Sequence, residues 1–91
     1  MELSDIMIIN KVDYLKIRKY IQSLCLDNIK ELSENVGLTE YETTLLIHTN
    51  RNETRTYSAM QLGVCESKVS KDKNKAFKRI KDYLIKNNIP Y

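Results

Sequence analysis

An all-α fold is predicted by three features of the 91-residue sequence. It holds only two glycines and one proline, so little punctuates its elements. Leu, Ile, Lys and Glu recur throughout, a composition that favours helix. Apolar residues return at three- and four-residue steps, the period of a helix with one buried face. With 42 % hydrophobic and 30 % charged residues, the chain can fold as one small body near the lower comfortable size for a core. The expected architecture is a long N-terminal helix (segment 1–37, for packing or dimerisation) followed by a three-helix unit (38–91).

Residues 1–9 read as an irregular or short extended arm. Ile6–Ile9 is too brief, and its approach too acidic, for a signal peptide. Asn10 and Asp13 form a capping pair for a helix from Lys11 to about Asn35, stopped by Gly37. Tyr14, Ile17, Ile21, Leu24, Cys25, Ile29, Leu32 and Val36 make its stripe. A helix of ~25 residues is about 37 Å long, more than a small trihelical body needs. The excess length makes residues 11–36 a candidate homodimer surface, although Asn28 interrupts a strict coiled coil. Thr39 and Glu42 then form a capping box for a helix over about 40–49. Asn52 or Thr54 caps the next, over 55–62. The last starts at Cys65–Glu66 and runs to about Lys86, where Asn87 and Asn88 end it and Pro90 forbids its resumption.

The stretch from Thr54 to Leu84 organises the rest. Ala59 and Gly63 stand one helical turn apart, followed by Val64 and Val69. A small Ala59 allows close crossing by a second helix. Gly63 can adopt the left-handed conformation that ends a helix and turns the chain. Val64 fills the gap and Val69 opens the buried stripe of the next helix. That is the logic of a helix-turn-helix, whose second helix enters a DNA groove. Leu38-Thr39-Glu40, the Gly63-Val64 turn, and Val69, Ala76, Phe77 and Ile80 at matching offsets make residues 38–84 resemble the DNA-binding region 4 of bacterial sigma factors and the sigma-like regulators built on it. The pattern departs from that family at Ser58, where the first helix of the motif usually buries an aliphatic, at Asp72, near where the second often carries an apolar residue, and at Cys65, which replaces the usual serine cap. The resemblance implies contact with promoter DNA and with RNA polymerase, in a bacterial, phage or mobile-element setting.

Charge is unevenly spread. Residues 1–63 carry seven Lys/Arg against nine Asp/Glu, whereas residues 64–91 carry eight against three. Cations gathered on one helix fit a polyanion. In helix-turn-helix geometry the recognition helix, about 66–82, offers Ser67, Lys68, Ser70 and Lys71 to base edges in the major groove. Lys75, Lys78 and Lys81 lie further along and are expected at phosphates. Arg51, Thr54, Arg55 and Thr56, around the start of the preceding helix, are expected to clamp the adjacent backbone. On the inward side Val69, Ala76, Ile80 and Leu84 are interrupted by Lys73, whose stem can snorkel.

Other chemistries find little support. One histidine, His48, near a helix C-terminus reads as a favourable dipole contact. Two distant cysteines, Cys25 and Cys65, read as reduced, partly buried thiols of a cytoplasmic protein. No zinc spacing, nucleophile–base pair or glycine-rich phosphate loop is present, so neither cofactor nor enzyme activity is expected. No stretch approaches the apolar length of a membrane span. The six tyrosines read as edging a small core. The expected function is sequence-specific binding of double-stranded DNA in transcriptional regulation. The alternative is a small helical interaction module, an adaptor or inhibitor that binds polymerase or a sigma factor without specific DNA binding.

Overall fold

The computed structural model describes residues 9–91. Within them the chain is all-helical: α1 (Lys11–Gln22), α2 (Leu26–Val36), α3 (Glu40–Asn50), α4 (Arg55–Leu62) and α5 (Glu66–Lys86). The arm expected over residues 1–9 lies, apart from Ile9, outside the described residues.

Side chains standing in for missing backbone partners define where α1, α3 and α4 begin. Asn10 Oδ1 accepts from the Asp13 amide, Thr54 Oγ1 accepts from the Tyr57 amide, and Thr39 and Glu42 close the expected capping box in both directions. Gly37 and Gly63 end α2 and α4 with φ of 82° and 67°. Both lie in the left-handed region that glycine enters without the penalty of a Cβ.

The single helix expected from Lys11 to Asn35 is in fact two, broken at residues 23–25. Ser23 closes α1 by donating its amide to the carbonyls of Lys19 and Tyr20 and its hydroxyl to Tyr20. Asn50, on α3, donates its side-chain amide to the carbonyls of Ile21 (3.0 Å) and Leu24 (2.7 Å). The Ile21 carbonyl otherwise accepts only the Leu24 amide of the turn, at 3.2 Å, among the described residues, and Leu24 lies past the end of α1, where intrahelical donors run out; α3 supplies a donor to both. An unbroken rod of about 37 Å would match the longest dimension of the described structure, 38 Å. Folded in two, both halves face one core.

That core joins Ile9, Ile17 and Ile21 to Ile29, Leu32, Leu46, Phe77, Ile80 and Leu84, drawn from α1, α2, α3 and α5. The stripe expected to serve a homodimer is therefore buried against the chain's own α5. A smaller cluster of Leu45, Ala59 and Val69 fastens α4 to α3 and α5, with Tyr41, Leu62 and Val64 around it. Tyr14, Tyr20, Tyr41 and Tyr83 edge the two clusters.

Cys25 and Cys65 are exposed, not partly buried as expected. Each occupies the N-cap of its helix, of α2 and α5, and neither makes a side-chain cap bond. A thiol is a weak acceptor, so an orphan amide stays open. Cys65→Ser should raise stability by about 1 kcal/mol, the usual worth of a hydroxyl N-cap. The measurement is a higher urea midpoint at constant slope. An unchanged midpoint would show that the cap amides are already well solvated.

Candidate nucleic-acid interface

The turn between α4 and α5 is built as its residues dictate. Gly63 takes the left-handed conformation, Val64 donates its amide to Ala59 at 3.1 Å, and Ala59 is buried beside Val69 and Leu45. Ser58, fully buried where an aliphatic was expected, is matched by a polar partner. Its hydroxyl meets His48 Nδ1 at 2.8 Å, and the Tyr57 ring stands edge-on to the imidazole at 5.2 Å. His48 stands in the last turn of α3, where a dipole contact was expected, but it is an interior residue tying α3 to α4.

Burial lowers the pKa of His48, so folding favours the neutral ring. Below about pH 6.5 the unfolded chain takes up a proton that the folded one resists. Stability should fall as pH drops from about 6.5 towards the folded value, then level off. Relative to His48→Gln, the wild-type advantage should shrink between pH 7.5 and 5. A constant gap in urea midpoint across that range would contradict a neutral buried ring. Asp13 and Asp72, whose carboxyls titrate below their ordinary value, lose their contribution at lower pH, so the two windows separate.

The eleven residues expected at DNA divide into three groups. Ser67 and Lys71 are exposed on the side of α5 opposite its core stripe, Thr56 is exposed next to the start of α5, and Arg51, just past the end of α3, is exposed. Lys75 is half-buried and, like Lys71 and Arg51, makes no ion pair among the described residues. A second group is engaged but within reach. Thr54 caps α4, Ser70 accepts from Arg55 Nη1 at 3.0 Å, and Arg55 also meets Glu66 at 3.3 Å.

The third group is turned onto the protein's own acids. Lys68 lies 2.9 Å from Asp72 and over the Tyr41 ring, while the Tyr41 hydroxyl donates to the same carboxylate at 2.9 Å. Burial with Asp72 alongside pushes the Tyr41 phenol up to about 12. Burial would also raise Asp72, but the Lys68 and Tyr41 hydrogen bonds outweigh it. This triad explains why an acid stands at 72, where an apolar residue was expected. Lys78 is chelated by Asp82, and Lys81 meets Asp13 of α1 at 2.6 Å.

Comparison with protein-family models, with curated proteins and with solved structures finds no match.

Magnitudes rank these ion pairs. Lys78–Asp82 is an i,i+4 pair with an exposed carboxylate, which holds by about 0.3–0.5 kcal/mol and exchanges readily for a phosphate; Lys68–Asp72 has the same spacing, but its carboxylate is largely covered and also holds Tyr41, so only the half-exposed Lys68 end is free to swing away. Their spacing alone could have flagged them. Lys81–Asp13 joins two helices with both side chains largely covered, about a fifth exposed, and acts as a structural tie.

Two cations that sequence reasoning left aside also matter. Arg18 of α1 and Lys73 of α5 line a cleft with Thr54 and Arg55. The only signal for Lys73 was a charge in an otherwise apolar stripe; nothing in the sequence signals Arg18. Arg79, equally unforeseen, donates to the Val36 and Gly37 carbonyls and to Glu42. It locks the turn after α2.

Proposed function

We propose that the chain binds double-stranded DNA sequence-specifically, as a transcriptional regulator of the sigma-region-4 type, with α4 and α5 acting as a helix-turn-helix. One observation carries the reading. The left-handed turn at Gly63 sets α5 across α4 so that Ser67 and Lys71 stand on an open face, without acid partners among the described residues, with Arg55 and Thr56 beside it. Ser67, Lys71 and, by swinging its half-exposed ammonium away from Asp72, Lys68 take base edges; Ser70 is held towards Arg55. Arg51, Arg55, Lys75 and Lys78, with Thr54 and Thr56, take phosphates. Lys81 is left out, because its bond to Asp13 fastens α1 to α5.

Selection of bound fragments from random duplexes tests this directly, with an enriched motif as the expected result. Four cationic phosphate contacts give a slope of log affinity against log salt of about −3.6. No enriched motif and no duplex affinity at low salt would overturn the reading.

The competing interaction module draws on a different observation: Lys68, Lys78 and Lys81 are spent on internal acids, while Met60, 77 % exposed, and Tyr57 project from α4. Its signature is polymerase or sigma-factor binding that survives a salt titration abolishing duplex affinity.

A further inference from the structure

We propose that the cleft where α1 meets the start of α4 and the middle of α5 is a phosphate-binding site, with Arg18, Arg55 and Lys73 as its cations. The cleft has a volume of about 320 Å³ where Thr54, Arg55, Thr56 and Lys73 line it. A contiguous recess of about 170 Å³ brings in Arg18.

Three features point to an anion there. Lys73 sits on the core side of α5, yet it makes no hydrogen bond or ion pair among the described residues. Among the described residues, Arg18 spends its guanidinium only on the neutral Asn52 side chain, at 3.1 Å. Burial, with Arg18 and Arg55 nearby, lowers the Lys73 pKa, so the three like charges crowd one another. Lys73, half withdrawn from water with no acid bonded to it among the described residues, is costly to keep charged, and a bound anion offsets that cost. Guanidinium forks match phosphate oxygens, and an ammonium adds a point charge. Arg55 and Thr56, the first two residues of α4, whose amides have no partner within the helix, adjoin the same space. Two carboxylates also line it, Glu53 and Glu66. Glu66 holds Arg55 at 3.3 Å with both side chains about half exposed, a contact too weak to exclude a phosphate.

The phosphate has two possible sources, a duplex backbone or a free phosphate ion. The first rests on the DNA-binding reading above and makes α1 part of the interface; the second does not depend on it. Affinity of the full chain for its selected duplex, measured over a salt series, is compared for wild type, Arg18→Gln, Lys73→Gln and Arg18→Lys. Melting of the same proteins with and without inorganic pyrophosphate is the second arm.

For a backbone phosphate, each Gln variant lowers the salt slope by about 0.9 and weakens all sequences alike, while Arg18→Lys keeps the slope. For a free ion, pyrophosphate raises the wild-type melting temperature and not that of the Gln variants. Unchanged slopes, together with a pyrophosphate response that is equal in all proteins or absent, overturn the cleft while leaving DNA binding intact. A wild type that binds no duplex refutes the DNA reading, and the pyrophosphate arm still decides the cleft. Arg18 is exposed, so its variant reads the site even if Lys73→Gln disturbs the fold.

Discussion

Phe77→Ala should cost about 3–5 kcal/mol, the usual toll for emptying a buried aromatic site. The side chain is fully buried on α5, its ring 4.8 Å from that of Tyr14, within a cluster that reaches four of the five helices. No single helix can move to refill the space without unseating another, so the cavity should relax only partly. A chain of this size holds roughly 5–14 kcal/mol in all, at about 0.05–0.15 kcal/mol per residue, so the loss is a large share of the total. Urea unfolding measures it as a fall in midpoint at constant slope. Ala59 belongs to the smaller cluster that fastens α4, so changes there should act more on the α4–α5 geometry than on the whole fold. A Phe77→Ala loss below about 1 kcal/mol, the level of an ordinary substitution, would mean that the core does not centre on this ring.

Local chemistry was readable in advance wherever it was self-contained. The capping box at Thr39 and Glu42, the Asn10–Asp13 pair, the two glycine stops and the stripe Val69, Ala76, Phe77, Ile80 and Leu84 each use residues within a turn or two of one another, and each stands as expected. The break at residues 23–25 was not readable. No glycine or proline marks it, and Ile17, Ile21, Ile29 and Leu32 fit one wide stripe as well as two separate ones. The group that stabilises the break, the Asn50 amide, lies more than two dozen residues away on α3. The candidate interface shows the same division. Which lysines fall on α5 follows from periodicity, but Asp13 reaches Lys81 only because α1 docks there. Charge counted along the sequence overstated the free cations, since long-range pairing is a property of the tertiary fold.

That distinction makes Lys71 the sharpest test of function. Lys71→Ala should reduce discrimination between the selected motif and a single-base variant by about 1–3 kcal/mol, or roughly 5- to 150-fold. Lys71 is exposed on the face opposite the core, one turn into α5, and forms no ion pair among the described residues. Truncating it removes a donor without freeing an acid, so folding stability should stay within about 0.5 kcal/mol of wild type, as at an ordinary surface position. Lys81→Ala should do the reverse. It strips Asp13 of its partner and loosens α1 from α5, lowering the urea midpoint while leaving base preference and salt slope unchanged. Lys78→Ala falls between them: its bond to Asp82 is a weak surface pair, so losing it should weaken all duplexes alike and reduce the slope by about 0.9. Two lysines within a dozen residues on one helix should therefore fail in opposite assays. If Lys71→Ala left discrimination untouched, α5 would not be reading bases through this face, whatever affinity for duplex remained.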